Sequence, residues 1–307
     1  MKRGWLVNDT LTCIPGTKTF WHDLLEWLPG LEDKTGGHTS FTILPQKIEA
    51  DLEISSSPDY IIRNASYFRA LNTDAPTISL LQDCKPPCAR GQQIEVCRSS
   101  RVTVCNSPYT YEQYKDDLEG LDVRVIPLGV DFDLFRPLKR DACQEEMGVL
   151  PNSILFVGAS TNNPKGFDIV KRLISETGYN FCLVMKDGHR VDNPRVVNFN
   201  RVSHEKLVKI MNACSVLICT SRQETLHLAG IEAAACNVPV IATNVGIYYG
   251  RESGPWGLKS ELADFSKTLD AFMASDKDYS PRSYFIGEGL DLCSVRNKWT
   301  KLIEEIV

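Results

Sequence analysis

The 307-residue sequence lacks the short motifs of several large enzyme classes. No GxGxxG opens a helix, and GxxxxGK[ST], HExxH and GxSxG are missing too. These absences argue against dinucleotide oxidoreductases, P-loop enzymes, zincins and serine hydrolases. No apolar run reaches the roughly 18 residues that cross a bilayer, and the first one, Gly4–Val7, is too short for a signal peptide. We therefore expect a cytoplasmic protein without a transmembrane segment, with peripheral contact to the inner face of a membrane as a further option.

Composition is that of an ordinary globular protein of two domains. Hydrophobic residues make up 43% and charged residues 24% of the chain, which excludes disordered and low-complexity classes. The net charge of −5 is uneven, since residues 1–150 hold 16 Lys and Arg against 22 Asp and Glu, whereas residues 151–307 hold 18 against 17. The second half is thus the better host for an anionic ligand, and the acidic balance argues against a nucleic-acid partner.

The eleven cysteines form no paired CxxC knuckles. Four of them cluster at Cys84, Cys88, Cys97 and Cys105, with three, eight and seven residues between them. Zinc ligands usually come in closer pairs, so we favour structural or free thiols over a zinc site here.

Apolar runs alternate with amphipathic stretches along the whole chain, which predicts an α/β fold. A polar stretch follows Phe135-Arg136-Pro137 and marks the predicted boundary between two Rossmann-like domains. Residues 1–135 are assigned to the first domain and residues 136–285 to the second. Residues 286–307 contain a terminal helix, because their apolar positions recur at helical spacing.

The most informative stretch runs from Val216 to Ala242 and has the pattern strand, polar loop, helix, turn, strand. Its loop contains Glu224 and its helix contains Glu232. In an open parallel sheet, ligands bind beyond the carboxyl ends of the strands. The backbone N–H groups of residues 225–228 would open the helix, where free donors and partial positive charge favour an anion such as a diphosphate. Two glutamates at this spacing are common by chance, so the spacing alone assigns no function.

The pattern around the two glutamates resembles the EX7E region of retaining GT-B glycosyltransferases of the family 4 type (glycosyl transferases group 1), whose motif is close to E-G-F-G-L-x-x-x-E-A-x-A-x-G-x-P-V-I-A. Upstream, Ile154–Gly158 followed by Pro164-Lys165-Gly166 resembles the family's strand, glycine and KG element. Val125–Pro137 resembles its interdomain signature, and Ile78–Asp83 one of its amino-domain strands. The resemblance covers most of residues 55–307. It implies a GT-B fold with two Rossmann-like domains facing a cleft and the terminal helix packing back on the first.

The resemblance also implies an activity, that of a retaining, hexosyltransferase-type enzyme. Such an enzyme moves a sugar from a nucleotide sugar, such as a UDP- or GDP-sugar, to a hydroxyl of a glycan, a lipid-linked or a small-molecule acceptor. Lys165 and Glu224 would be the catalytic pair, with Lys165 on the donor diphosphate, Glu224 on the donor sugar and Glu232 on the ribose. We expect no cofactor and no essential metal. The Asp131-Phe-Asp133 triplet resembles the metal-binding DxD of another glycosyltransferase fold, but here it belongs to the interdomain signature.

Other site residues come from the same resemblance, and some depart from the family pattern. Further donor-binding residues implied are Gly16, Gly158, Ser160, Thr225, Leu226, His227 and Leu228. Gln82 and Asp83 are the acceptor-side candidates, although the family often has His where this chain has Gln82, and Gln cannot carry a proton. The family commonly has Arg where this chain has Ala159-Ser160, so one phosphate-binding cation is missing unless Arg222 or Lys186 replaces it. His227 stands in place of the family's second glycine.

Several alternatives stay open on the sequence alone. The departures at Gln82 and Ser160 suit a nucleotide-sugar-binding GT-B protein without transferase activity. A GT-B epimerase or phosphorylase would use a similar donor site. A nucleic-acid base glucosyltransferase is disfavoured by the acidic first half.

Overall fold

The architecture is that of two compact α/β units. A computed structural model describes residues 4–7, 26–28, 31–33, 58–65, 73–84, 90–161 and 163–307. One unit comprises Met1–Leu128 with Cys293–Val307, and the other comprises Gly129–Leu292. Within the described residues, each unit contains one six-stranded parallel sheet. The prediction of two Rossmann-like domains is therefore confirmed.

Helices join many of the successive strands in the described residues, as is usual in parallel sheets. The strands are β1 (Gly4–Val7), β2 (Leu31–Asp33), β3 (Tyr60–Asn64), β4 (Thr77–Leu81), β5 (Val102–Cys105), β6 (Val123–Val125), β7 (Ile154–Gly158), β8 (Phe181–Met185), β9 (Val196–Asn200), β10 (Val216–Cys219), β11 (Val240–Ala242) and β12 (Gly257–Lys259). The helices are α1 (Gly91–Arg98), α2 (Pro108–Tyr114), α3 (Arg140–Met147), α4 (Phe167–Glu176), α5 (His204–Ala213), α6 (Leu228–Ala235), α7 (Phe265–Met273), α8 (Pro281–Gly287) and α9 (Leu292–Ile306).

Strand order places a topological switch point in the second unit. The first sheet runs β2-β1-β3-β4-β5-β6, and the second runs β12-β11-β10-β7-β8-β9. In the second sheet the chain moves outward from β7 through β8 to β9, then returns to the other side of β7 at β10. Ligands of open parallel sheets bind outside the carboxyl ends of the strands at such a reversal. The loops after β7 and β10 are therefore where a site is expected.

Burial of both sheet faces explains why the strands of the second unit are so apolar. All five residues of β8 are buried, and α4 packs Phe167, Val170 and Leu173 into the same core. Strands covered by helices on both faces are near-continuous apolar runs rather than alternating ones. This core gives the loops at the carboxyl edge a rigid support.

The segments that join the two units belong to the second one. The Val130 N–H donates to the Leu290 carbonyl at 3.0 Å, and the Leu292 N–H donates to the Val130 carbonyl at 3.2 Å. The Arg282 guanidinium donates to the carbonyl of Phe135 at 2.9 Å. These backbone links place residues 129–135 and 286–292 in the second unit, whereas the sequence assigned them to the first domain and to the terminal segment.

The terminal helix α9 groups with the first unit, as the sequence predicted. Its buried residues Val295, Trp299 and Leu302 follow helical spacing along one face. On the exposed side, Arg124 of the first unit lies 3.4 Å from Glu305. Across the described ranges, no helix has the length and apolarity needed to pass through a bilayer.

A close backbone approach at Gly166 brings the loop after β7 against the end of β10. Gly166 has φ +68°, and a Cβ on it would lie 2.0 Å from the Thr220 carbonyl oxygen. Real atoms cannot approach that closely, and the left-handed backbone adds a steric penalty for any L side chain. Glycine is therefore required at this position of the KG element.

Gly166→Ala should destabilise the protein far more than Gly148→Ala. Gly148 has nearly the same backbone, φ +62°, but nothing lies within 4 Å of a Cβ there. The left-handed conformation alone should cost about 1 kcal/mol at Gly148, and the clash should raise this to about 3 kcal/mol or more at Gly166. Thermal unfolding of the two full-length variants measures the difference. Equal melting temperatures would show that the backbone at Gly166 moves freely away from Thr220.

Candidate active site

Three loops of the second unit meet at the carboxyl edge of its sheet. Strand β10 pairs in parallel with β7 on one side and with β11 on the other. The segments that follow these strands, residues 159–166, 220–227 and 243–250, therefore emerge side by side. The predicted catalytic pair lies on the first two of them.

Hydrogen bonds from the strand end hold the first two loops together. The Thr220 hydroxyl is buried and donates to the carbonyl oxygens of Lys165 and Gly166, at 3.0 and 3.1 Å. The Arg222 N–H donates to the Pro164 carbonyl at 2.7 Å. The backbone on either side of Lys165 is thus fixed before any ligand is bound.

Lys165 and Glu224 form an ion pair across these loops. The Lys165 ammonium donates to a carboxylate oxygen of Glu224. The side chains are 32% and 14% exposed, respectively, so salt screens this pair less than a pair on the open surface. The two residues that the sequence singled out as catalytic are therefore brought together, and each remains reachable from solvent.

The third loop supports the residues that precede α6. The Thr243 hydroxyl donates to the Ser221 carbonyl at 2.6 Å, and the Ile247 N–H donates to the Leu226 carbonyl at 3.1 Å. Leu226 is buried beneath the loop, whereas Leu228 is 39% exposed. Of the predicted donor-binding residues in this loop, Thr225 is partly exposed and Leu226 serves as support.

Helix α6 begins at Leu228, and no side chain of the described residues caps it. Its residue before the start, His227, has the left-handed backbone φ +69°, ψ 64°. The first N–H groups of a helix have no partners within the helix and carry partial positive charge. The helix start is therefore an anion-binding position next to Lys165 and Glu224.

His227 is buried, with 7% of its surface exposed. Burial lowers the pKa of its imidazole to about 4, with Glu224 opposing this change and Lys165 adding to it. The ring is therefore neutral near pH 7. The sequence could place His227 in the loop but could not show that its side chain turns inward.

Glu232 lies one turn into α6 and is partly exposed. Desolvation raises the pKa of its carboxyl group to about 7. Among the residues that the structure describes, none forms an ion pair or a side-chain hydrogen bond with this carboxyl group. An unpaired, partly desolvated carboxyl group is typical of functional sites, where its partner is a ligand hydroxyl or cation.

Sequence reasoning missed Asp187, whose carboxylate accepts hydrogen bonds from the backbone N–H groups that follow β7. One of its carboxylate oxygens accepts the Ser160 N–H and the Ser160 hydroxyl, both at 2.7 Å, and the Thr161 N–H at 3.1 Å. These donors hold the pKa of Asp187 well below its usual range. Ser160 is thus engaged within the protein, just beyond Gly158 at the end of β7. The sequence signal for this contact is the Asp187-Gly188 pair, which follows β8 after Lys186.

Arg222 is not a free phosphate ligand, because its guanidinium is paired with Asp168. Its guanidinium forms a two-point contact with the Asp168 carboxylate, at 2.8 and 2.7 Å, near the start of α4. This pairing lowers the pKa of Asp168. Lys186 is exposed at the end of β8, where its N–H donates to the Gly158 carbonyl at 2.8 Å. Lys165 is therefore the cation built into the predicted donor site.

In the first unit, the acceptor-side candidates follow β4. The Asp83 carbonyl accepts the Tyr114 hydroxyl at 3.2 Å and the Gln93 side-chain amide at 3.4 Å. Gln82 and Asp83 are both partly exposed. Gly16 lies outside the described residues.

Three members of the cysteine cluster belong to the core of the first unit. Cys97 and Cys105 are buried, and Cys84 packs against the same apolar group. Burial raises the pKa of the Cys97 and Cys105 thiols. Cys88 lies outside the described residues.

The Asp131-Phe-Asp133 triplet has a local structural role. One Asp131 carboxylate oxygen accepts the N–H groups of Asp133 and Leu134, both at 2.9 Å. This is an Asx turn, in which the side chain caps the backbone two residues on.

Curated relatives match between about a third and two thirds of the chain. The chain is 36% identical over 102 residues to an uncharacterized glycosyltransferase of Methanocaldococcus jannaschii, covering 30% of this chain and 28% of that protein. It is 28% identical over 223 residues to the D-inositol 3-phosphate glycosyltransferase of Rhodococcus opacus, covering 61% of this chain and 48% of that one. In these matches the chain spans less than half the length of the curated relatives.

Solved structures and a family model complete the comparison. Anabaena HepE in complex with UDP-glucose has a TM-score of 0.72 and 15% identity over 98% of this chain and 99% of its own. Sucrose-phosphate synthase from Thermosynechococcus elongatus has a TM-score of 0.72 and 14% identity over 98% and 88%. At such identities the likeness concerns the fold, which is GT-B. The family model described as glycosyl transferases group 1 matches residues 151–271. Lys165, Glu224, His227 and Glu232 therefore all lie within the segment that matches the glycosyl transferases group 1 family.

Proposed function

We propose that this protein is a retaining glycosyltransferase that moves a sugar from a nucleotide sugar to an acceptor hydroxyl. The observation that carries the proposal is the Lys165–Glu224 ion pair beside the uncapped start of α6. A cation and free N–H groups suit a diphosphate, while a carboxylate suits sugar hydroxyls. These groups lie within the segment that matches the glycosyltransferase family.

In the proposed complex the donor extends along the carboxyl edge of the second sheet. Its diphosphate contacts Lys165 and the N–H groups at Leu228. The sugar contacts Glu224, and the ribose hydroxyls donate to Glu232. HepE, a protein of the same fold, has been crystallised with UDP-glucose, which makes UDP-sugars the first donors to test.

Charge develops on the departing diphosphate as the anomeric carbon–oxygen bond breaks. The acceptor oxygen forms the new bond to that carbon on the same face, and its proton leaves with the diphosphate or to solvent. Fixed positive groups act best when they are oriented before the reaction. The backbone around Lys165 meets this condition, since Thr220 and Arg222 hold the residues on either side of it. The proposal requires no metal ion for this step.

Glu224 orients and supports the sugar in this proposal, and it does not form a covalent intermediate. A carboxylate that is paired with an ammonium group is a poor nucleophile, because the lone pairs are engaged in charge-assisted hydrogen bonding. The same pairing holds the Glu224 carboxylate where it can accept hydrogen bonds from sugar hydroxyls. The Lys165 ammonium has three donor hydrogens, so it can bond the diphosphate while it stays paired with Glu224.

The acceptor is a hydroxyl compound that the first unit would bind, with Gln82 and Asp83 as candidates. The curated relatives named as D-inositol 3-phosphate glycosyltransferases make that compound a first choice for an acceptor panel. The panel should include glycans and lipid-linked sugars. Nucleoside diphosphate release with and without each acceptor identifies the one that is used.

Glu224→Gln should lower the rate of transfer by about 10²–10³-fold, since the variant keeps the shape of the side chain but loses its charge. The matched control is Glu146→Gln, which breaks an ion pair with Lys209 in the same unit whose side chains are 52% and 39% exposed. The control should retain wild-type turnover, because exposed pairs contribute little. Melting temperatures of both variants should stay close to that of the wild type.

If Glu224→Gln transferred sugar at the wild-type rate, Glu224 would not be a residue of the donor site. Tight binding of nucleotide sugars without turnover on any acceptor would instead favour the non-catalytic binding protein, which Gln82 and Ser160 already suggest as the alternative. Product formed without an acceptor would indicate an epimerase, and inverted product would exclude retention. A salt-dependent shift of duplex DNA would favour a nucleic-acid acceptor.

Affinity for UDP-glucose should rise roughly tenfold between pH 6 and pH 8. The pKa of Glu232 is raised to about 7 in the free protein, and only the ionised carboxylate can accept both ribose hydroxyls. Below pH 7 binding must first remove a proton, so affinity falls as the pH falls. UDP-glucose is the suitable probe, because its diphosphate has no group that titrates in this range.

Glu232→Gln is the control for that pH dependence. It should bind UDP-glucose more weakly than the wild type at pH 8, with little change between pH 6 and pH 8. The low pKa of His227 keeps that residue neutral across the whole interval. A variant that keeps the wild-type pH profile would exclude Glu232 as the ribose ligand.

A further inference from the structure

His227 holds a backbone conformation that its side chain makes unfavourable. Its φ is +69°, in the left-handed region that a non-glycine residue seldom adopts. Glycine, the residue of the family motif at this position, would relieve the strain. Strained conformations persist where the surrounding structure fixes them, and they cluster at functional sites. The imidazole is therefore the feature to examine for a role.

A nitrogen of this imidazole and a tyrosine hydroxyl are buried near each other, and each lacks a hydrogen-bond partner among the described residues. Within the described part of the chain, neither His227 Nδ1 nor the Tyr248 hydroxyl has a hydrogen-bond partner, and both are sealed from solvent. A Cβ on Gly230 would lie 2.5 Å from Nδ1 and 2.1 Å from the Tyr248 oxygen. The two atoms are thus no further apart than the sum of those distances, and they face the same bare glycine of α6.

Tyr248 is a rigid neighbour for the imidazole. Its ring is fully buried and packs against Trp256 with centroids 4.8 Å apart and against Phe285 at 6.3 Å. The His227 and Tyr248 rings lie 5.9 Å apart. A hydroxyl held in this way can donate a hydrogen bond to Nδ1 after a small shift, which would leave the imidazole proton on Nε2.

Nε2 is the ring nitrogen that remains for a ligand once Tyr248 bonds Nδ1. It has no hydrogen-bond partner among the described residues, yet it is not sealed from solvent as Nδ1 is. The charges that act on the ring are those of Glu224 and Lys165, and His227 follows Glu224 by three residues in the same loop. A neutral imidazole N–H can donate to a sugar hydroxyl oxygen, while Lys165 and the start of α6 serve the diphosphate in the proposed complex.

We propose that His227 is a specificity-determining residue for the donor sugar, which it contacts by a hydrogen bond from Nε2, and that Tyr248 is a positioning residue that fixes the imidazole through Nδ1. This inference rests on the function proposed above. It adds a contact at a position where the family motif has no side chain. His227 thereby selects the hydroxyl pattern of the sugar, whereas Lys165 and the helix start bind the diphosphate of any donor.

The test compares two side chains of similar size in the same strained backbone. His227→Gln keeps an N–H group near the position of Nε2, and His227→Leu removes it. The probes are UDP-glucose, UDP-galactose and GDP-mannose with free UDP and GDP, titrated into the full-length protein by calorimetry. The quantity of interest is the ratio of the dissociation constant of the free diphosphate to that of its nucleotide sugar.

His227→Leu should lower this ratio roughly tenfold for the sugar that the wild type prefers, the loss that corresponds to one hydrogen bond. His227→Gln should keep the ratio within about threefold of the wild type, and Tyr248→Phe should lower it by a similar small factor. Affinity for free UDP or GDP should be unchanged in all three. If His227→Leu fails to fold, His227→Gly makes the same deletion without backbone strain.

Other results would overturn the inference. A wild-type ratio in His227→Leu or His227→Gly would mean that the imidazole does not touch the sugar. Equal losses in His227→Gln and His227→Leu would mean that packing alone matters. Equal loss of affinity for the free diphosphate would mean that the whole site is disturbed. Wild-type protein that binds neither free diphosphates nor nucleotide sugars would overturn the proposed function, and this inference with it.

Discussion

The close approach of Gly166 to the end of β10 is the constraint on which the candidate site depends. Without a Cβ, the backbone at Gly166 passes next to the Thr220 carbonyl, and the Thr220 hydroxyl bonds the two carbonyls that flank this point. Lys165 is thereby held on one loop while Glu224 enters from the next. The ion pair is a consequence of this backbone contact, since two flexible surface side chains would gain little from pairing. Sheet topology places the contact at the switch point, where a ligand can reach both residues.

The same region concentrates features that would be unfavourable in a purely structural protein. Glu232 has a desolvated carboxyl group, His227 is strained, and a tyrosine hydroxyl is buried without a partner. Each of these destabilises the folded state by an amount that the apolar core beneath the loops must offset. These three features lie together at α6 and the loop after β11, although Asn152, Arg201 and Asn237 of the same unit also have positive φ. Such clustering is typical of sites that are organised before a ligand arrives.

Much of the fold could be predicted from the sequence, because the buried strands of parallel sheets are continuous apolar runs. β4, β8 and β10 are of this kind. β2 and β12 could not be found in this way, since Leu31–Asp33 and Gly257–Lys259 are three residues long and carry polar residues. The residues of the site could be named from the family pattern, but their contacts could not. The pairing of Lys165 with Glu224 depends on side chains far apart in the sequence.

Asp187 bonds the backbone N–H groups after β7, where the family commonly has an arginine. The amides of Ser160 and Thr161 form a concave anion-binding position, and here the Asp187 carboxylate fills it. A donor phosphate can use these amides only if it displaces a carboxylate whose negative charge would repel it. The amides after β7 are thus a poor phosphate site in this chain, and neither Arg222 nor Ser160 compensates, because both are engaged with aspartates. Under the proposed function, stabilisation of a departing diphosphate would therefore fall mainly on Lys165 and on the start of α6.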